Sequence, residues 1–174
     1  TSASLDNVIS GTVSNTADLS ATYKGLWNAT YFYALVKVTD NTKINNGGTD
    51  IYNDDAVEVF FDIGNDKSNT YGANDFQYTF RWNDNTVYEK NNKITGVTFA
   101  RTDNATGYVM EIRFPWSTLT GTPAVNQLVG FEIEVNDDDN NGDRDGKIAW
   151  AATDDQAWTN PSYMGTVVLK GSAC

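Results

Sequence analysis

Asn53-Asp54-Asp55-Ala56-Val57-Glu58-Val59-Phe60-Phe61-Asp62 and, further along, Phe76-Gln77-Tyr78-Thr79-Phe80-Arg81-Trp82 are the stretches that decide the fold. In an extended chain successive side chains point to opposite faces. Phe76, Tyr78, Phe80 and Trp82 therefore fall on one face of the second stretch, and Gln77, Thr79 and Arg81 on the other. The same alternation sends Val57, Val59 and Phe61 one way and Glu58, Phe60 and Asp62 the other. Each stretch is a strand with one face suited to a core. If the two strands are neighbours, Glu58 shares the opposite face with Gln77, Thr79 and Arg81.

The rest of the chain repeats the pattern: short alternating runs of aromatic and β-branched residues, separated by Gly, Asn and Asp. Further strands are expected at Tyr31–Thr39, Thr86–Glu89, Val97–Arg101, Gly107–Phe114, Leu128–Asn136, Ile148–Ala151 and Gly165–Leu169, beside Ala56–Ile63 and Phe76–Trp82. Turn chemistry such as Asn46-Gly47-Gly48 and Asn141-Gly142 lies between them. This spacing predicts an all-β, two-sheet antiparallel β-sandwich of jelly-roll-like or immunoglobulin-like type with almost no helix. One helical turn is expected at Pro115-Trp116-Ser117-Thr118-Leu119, because Pro fits the first helical position. At 174 residues the chain reads as a single domain over 1–174, large enough to bury roughly two-thirds of its unfolded surface.

Lys plus Arg total 12 against 23 Asp plus Glu, a formal charge of −11. That sign repels nucleic acid and anionic membrane surfaces. The acids cluster at Asp54-Asp55, Asp137-Asp138-Asp139 and Asp154-Asp155, where a bound cation, calcium first, would relieve the repulsion. Cys174 is the only cysteine, so no intrachain disulfide forms. No apolar run reaches the roughly 18 residues of a membrane span, and the first residues lack a basic start with an apolar run behind it. Mature, soluble material cut from something longer is the expectation.

Histidine is absent, which removes imidazole bases, Ser-His-Asp constellations and histidine metal sites together. It also removes haem ligation by a Met–His pair. A glycosidase needs only two carboxylates, and Glu58, Glu89, Glu111, Glu132 and Glu134 are available, so that reading stays open. More informative are Trp158 in Asp154-Asp155-Gln156-Ala157-Trp158-Thr159-Asn160-Pro161 and Tyr52 in Asp50-Ile51-Tyr52-Asn53-Asp54. Both sit in surroundings too polar for a core. Sugar rings stack their C–H faces on aromatic faces, and their hydroxyls take bidentate partners such as carboxylate, amide and guanidinium. Trp27, Trp82, Trp116 and Trp150 sit in or beside apolar segments and are expected in the core.

The loop Asp137-Asp138-Asp139-Asn140-Asn141-Gly142-Asp143-Arg144-Asp145-Gly146 has oxygen-bearing side chains at Asp137, Asp139, Asn141, Asp143 and Asp145, with Gly142 at the sharp turn. It resembles the start of a calcium loop. Ile148 stands where an EF-hand has its closing Glu, so this is no EF-hand. The alternative is a solvated acidic turn pinned by Arg144.

Several segments taken in order resemble family 9 carbohydrate-binding modules of the xylanase-associated type. They are Leu26–Asp40, Asn53–Asp62, Phe114-Pro115-Trp116-Ser117-Thr118-Leu119, Val129-Gly130-Phe131-Glu132-Ile133-Glu134-Val135-Asn136-Asp137, Ile148-Ala149-Trp150 and Trp158 with Pro161-Ser162-Tyr163-Met164-Gly165. The resemblance implies a β-sandwich with structural calcium, appended to polysaccharide-degrading enzymes, whose two aromatic rings sandwich a sugar, often at a chain's reducing end. By motif position the rings fall on Tyr52 and Trp158, the acidic contact on Glu58, and the polar contacts on Gln77, Thr79 and Arg81. Three departures stand out. Characterised members usually have Trp at the Tyr52 position. Thr79 occupies the family's strand-arginine position, with Arg81 one pleat further along. The usual opening, an Asp-Gly pair leading to a Trp, is absent, which predicts a missing first strand and an open edge.

The resulting expectation is passive binding of an oligo- or polysaccharide of the cellulose or xylan kind by a secreted, monomeric module attached to a catalytic domain. No residue is catalytic in this reading. Ring stacking supplies most of the contact, Glu58, Gln77 and Arg81 select hydroxyls, and calcium fixes the loops. A structural or adhesion sandwich without sugar binding is the main alternative.

Overall fold

The computed structural model describes residues 2–171; Cys174 lies outside them. Among the described residues twelve strands form: β1 Ala3–Ser4, β2 Asn7–Gly11, β3 Leu19–Trp27, β4 Tyr31–Asp40, β5 Ala56–Asp62, β6 Asp75–Arg81, β7 Tyr88–Glu89, β8 Thr98–Asn104, β9 Gly107–Pro115, β10 Leu128–Asp137, β11 Gly146–Ala149 and β12 Gly165–Val168. They build a five-stranded sheet, β1-β3-β4-β9-β8, and a seven-stranded sheet, β2-β11-β10-β5-β6-β7, with β12 also paired to β10. Every ladder is antiparallel. The two sheets pack face to face as the sandwich expected from the sequence.

Every strand expected from the sequence forms, with shifted ends, and β5 and β6 are neighbours, Val59 opposite Tyr78 and Glu58 opposite Thr79. The inward side chains Val57, Val59, Phe61, Phe76, Tyr78 and Phe80 are fully buried, as alternation requires. They meet Phe32, Val36, Met110, Ile112 and Phe114 of the other sheet in one core. Phe61 sits at its centre, with ring centroids 5.0 Å from Phe114 and 5.3 Å from Phe32 and Phe131. Edge-on aromatic packing of this kind adds to the area buried.

Three strands were not foreseen. β1 pairs with β3 and β2 with β11, so the beginning of the chain joins both sheets. β3 buries Leu19, Ala21 and Tyr23, but Ser, Thr, Lys and Gly dilute its alternation below notice. Its register comes from a tight hairpin to β4, in which Asn28 Oδ1 accepts from the amides of Thr30 and Tyr31 at 2.9 and 2.8 Å. At Pro115 a single turn does close, with the amide of Leu119 bonded to the Pro115 carbonyl at 3.1 Å. The one helical element among the described residues is a 3₁₀ turn at Pro161–Tyr163, capped by Asn160. Trp116 is buried, whereas Trp27, Trp82 and Trp150 lie half-buried against the core's margin.

The position of the site follows from β10. β11 pairs with its second half, Glu134 to Asp137, and β12 with its first, Leu128 to Phe131. Between them the chain from 150 to 164 leaves the sheet and folds over its outer face. There it covers Phe60, which points outward and is completely buried with Ala157 and Met164.

Candidate functional site

The outer face of the seven-stranded sheet forms the floor. Glu58, on β5, accepts through Oε1 from Gln77 Nε2 at 3.0 Å and Thr79 Oγ1 at 3.2 Å, both on β6. Register then sets Glu134 of β10 directly opposite Glu58, a like-charge pair that is destabilising unless a cation intervenes. Lys147 of β11 is that cation. Its Nζ is 2.7 Å from Glu58 Oε2 and 3.0 Å from Asp155 Oδ1, and it also contacts Glu134. Arg144 completes the row by pairing with Asp155 at 2.6 Å. Burial alone would push the Glu58 carboxyl up, but the charge and hydrogen bond of Lys147, with Gln77, hold it below its usual range. Burial pushes Glu134 up to about 8; Lys147 opposes the shift and the charge of Glu58 adds to it.

Two segments raise walls above this floor. The loop 41–55 carries Tyr52 and is tied down by Arg81, whose Nη1 donates to Asp54 Oδ2 and to the Gly48 carbonyl, each at 2.8 Å. The other end of the guanidinium pairs with Asp84 at 2.8 Å. The segment 150–164 carries Trp158. Glu132, buried beneath it, accepts from the amides of Trp150, Ala151 and Ala152 at 2.9, 2.9 and 2.8 Å. That bonding folds the segment away from the sheet. Between the walls lies a cleft of about 840 Å³ lined by Tyr52, Trp158, Glu58, Gln77 and Thr79, with Arg144, Lys147 and Tyr88 among its other neighbours. Tyr52 and Trp158 are 49% and 48% exposed although both are large aromatics.

Five of the six residues expected to bind are thus brought together, but in different roles. Gln77 is partly open to the cleft, whereas Glu58 is 1% exposed with both oxygens engaged. Arg81 lies outside the cleft, committed to Asp54 and Asp84. Alternation put it on the correct face, but the nearby carboxylates draw its long side chain to the Tyr52 loop. Lys147, Arg144 and Asp155 were missed, although alternation along Gly146–Ala149 places Lys147 and Ala149 on one face of β11. Of the candidate catalytic carboxylates, Glu111 sits on β9 in the other sheet, Glu132 is bonded to backbone amides, and Glu89 accepts from the amides of Asn91 and Lys93 at 2.8 and 2.6 Å.

A second acidic assembly lies where β4 and β10 end and β5 begins. Asp40, Asp55 and Asp137 bring carboxylate oxygens within 4.8 Å of one another, and Asp18, Asp137 and Asp139 form an adjoining group. Both Asp137 oxygens and Asp40 Oδ2 are buried without a hydrogen-bond partner. Burial first and neighbouring carboxylates second push Asp55 up to about 9, Asp137 to about 8 and Asp40 to about 6. Buried carboxyl oxygens without partners suit a hard divalent cation that takes oxygen ligands and would favour their ionised form. Of the residues expected as ligands, Asp137 and Asp139 belong to these groups, whereas Asn141, Asp143 and Asp145 lie in a loop held by other bonds. The Asp145 amide bonds the Asp137 carbonyl at 2.8 Å, the Asp145 carboxylate accepts from the Asp139 amide at 2.8 Å, and Asp143 accepts from Asn53 Nδ2 at 2.9 Å. Asn141 is exposed in a left-handed conformation, φ +63°.

The chain is similar to known proteins over nearly its whole length. It is 35% identical over 161 residues to the endo-1,4-beta-xylanase A of Thermoanaerobacterium saccharolyticum, covering 92% of this chain and 12% of that protein. It is 33% identical over 155 residues to the exoglucanase XynX of Acetivibrio thermocellus, covering 87% and 14%. The chain therefore spans only a small part of these relatives. Among solved structures, a carbohydrate binding module family 9 from Caldicellulosiruptor kristjanssonii in complex with cellotriose superposes with a TM-score of 0.83 at 27% identity, over 96% of this chain and 83% of that one. The family model described as carbohydrate family 9 binding domain-like matches residues 1–172. With the sandwich, the cleft and this match in agreement, the chain belongs to the carbohydrate family 9 binding domain-like family.

Proposed function

We propose that this chain is a non-catalytic module that holds sugar units of a plant cell-wall polysaccharide between Tyr52 and Trp158. The observation that carries this reading is the pair of half-exposed aromatic side chains lining one cleft above a polar strand face. The rings offer apolar surface to sugar C–H faces, and Gln77, fixed through Nε2 by Glu58, turns its amide carbonyl to a sugar hydroxyl. Glu58 acts from below the floor, by orienting Gln77 and Thr79. The carboxylates near the cleft are already engaged by Lys147, by Arg144 or by backbone amides, which favours binding over hydrolysis. A family member solved with cellotriose supports a β-glucan-type ligand.

The relatives of which this chain spans a small part are a xylanase and an exoglucanase, which supports attachment to a secreted catalytic domain acting on the same polymer. Calcium at Asp40, Asp55 and Asp137 would join the ends of β4, β5 and β10 and stiffen the base of the Tyr52 loop. Affinity on the order of micromolar to millimolar is expected, since a small sugar buries little surface and gives up water. Calorimetric titration with cellobiose, xylobiose and their borohydride-reduced forms tests the reading. Binding that disappears in Trp158→Ala supports it, and loss on reduction of the sugar adds reducing-end recognition. No heat from any of them, with calcium present and the fold intact, refutes it.

A further inference from the structure

Two side chains from outside the Trp158 segment grip consecutive carbonyls within it. Tyr71, between β5 and β6, donates its hydroxyl to the Ala157 carbonyl at 2.8 Å. Lys90, immediately after β7, donates its ammonium to the Trp158 carbonyl at 3.2 Å. The same ammonium stands 4.7 Å from the centroid of the Tyr71 ring and 5.9 Å from that of Trp158, within range of a cation–π attraction. Arg144 and Lys147, the other cations lining the cleft, are both paired with carboxylates, but Lys90 enters no salt bridge among the described residues. Its ammonium serves the Trp158 carbonyl and the two rings instead.

The surroundings fit that role. Ala157 is completely buried against Phe60 and Met164, with Tyr71 packed on the same cluster. Burial and nearby carboxylates hold the Tyr71 hydroxyl protonated, so it acts as a donor. At the far end of the residue, the Trp158 indole donates from Nε1 to the Asp155 carbonyl at 3.2 Å. A Trp that is half exposed would otherwise sample several rotamers and lose that freedom when a ligand arrives.

We propose that Tyr71 and Lys90 are positioning residues that lock the two peptides flanking Trp158, so that the Trp158 ring meets its ligand already oriented. The benefit to binding rests on the sugar-binding reading of the cleft; the ordering of the ring does not. Loss of one grip is expected to weaken sugar binding by about two- to tenfold, the range for one side chain that must be ordered on association. Sugar preference stays unchanged, since neither residue reads a hydroxyl.

The test uses the whole chain labelled with 5-fluorotryptophan, with the Trp158 fluorine resonance assigned by its loss in Trp158→Phe. Tyr71→Phe, which removes only the hydroxyl, and Lys90→Met, which keeps the stem, are compared with Lys90→Arg. In the absence of sugar, the Trp158 resonance is expected to move towards the solvent-exposed position in Lys90→Met and Tyr71→Phe and to return in Lys90→Arg. Cellobiose affinity is expected to fall in the first two and recover in the third. A Trp158 resonance unchanged in both variants overturns the proposal, even if affinity drops, because Lys90 would then touch the ligand itself. If cellobiose binds none of the proteins, the sugar reading fails while the fluorine comparison still decides the positioning role.

Discussion

Lys147→Met removes the ammonium that Glu58, Glu134 and Asp155 share and leaves the stem that fills the space. Lys147 is 2% exposed, and the side chains of Glu58 and Glu134 are 2% and 0% exposed, so two carboxylates stay buried without a counter-charge. Breaking a buried pair in this way costs about 3–5 kcal/mol. In a domain of this size each kcal/mol moves the melting temperature by about 2–4 °C, so the expected drop is about 6–20 °C by calorimetry at pH 7. The pH dependence fixes the cause. Glu134 is raised in the native protein to about 8, so the folded state keeps a proton that the unfolded chain releases near the ordinary carboxylate value. The stability associated with that proton is present at low pH and is lost as pH rises towards 8. Without Lys147 the Glu134 carboxyl rises further, and Glu58, no longer held down, rises with it. The deficit of Lys147→Met should therefore be small near pH 5 and largest near pH 9. Adding Glu134→Gln, which removes one buried carboxylate, should restore part of the loss at the alkaline end. A melting temperature within about 2 °C of the parent at both pH 7 and pH 9 would refute the reasoning, since the ammonium would then be compensating nothing.

Tyr52→Trp enlarges one wall of the cleft and is expected to tighten cellobiose binding several-fold by titration. Calcium at a hundred times its dissociation constant should stabilise the fold by about 2.7 kcal/mol, a rise of about 5–11 °C in melting temperature. A chelator should reverse it, and Asp137→Asn should abolish the response while Asp143→Asn keeps it. Phe60→Ala empties the seat beneath the Trp158 segment, at a cost of about 3–5 kcal/mol, and should speed amide exchange at Ala157 and Met164. Arg81→Met should free the loop 41–55, seen as faster exchange at the Asn46 amide, which Asp54 accepts, together with weaker sugar binding.

What the sequence revealed of this molecule and what it hid divide along one physical line. Alternation is a property of the extended backbone, so residues 57–61 and 76–80 announced both their core faces and the shared outer face of Glu58, Gln77 and Thr79 without any knowledge of topology. Tyr52 and Trp158 were visible for a related reason, since a large ring amid Asp, Asn and Gln has no local apolar company to bury it. What stayed hidden depends on which strands become neighbours. Lys147 faces Glu58 only because β11 flanks β10 and β10 flanks β5, and nothing local to 146–149 states that order. The cation candidates were sought in one loop, 137–145, because oxygen atoms at alternate positions are a local signal. The convergent carboxylates instead come from the ends of β4, β5 and β10 and from Asp18, and only the sheet order brings these together. Arg81 marks the boundary between the two kinds of information. Its face was legible from alternation, but the direction of its guanidinium was set by Asp54 and Asp84, whose positions depend on how two loops close. Phe60 shows the same limit from the apolar side. Alternation put a phenylalanine on a polar face, where it was anomalous until the segment 150–164 folded over it. That segment carries Trp158, so burying Phe60 and placing the Trp158 ring at the cleft are one structural event, and the apparent misfit in the strand pattern was the local sign of the cleft.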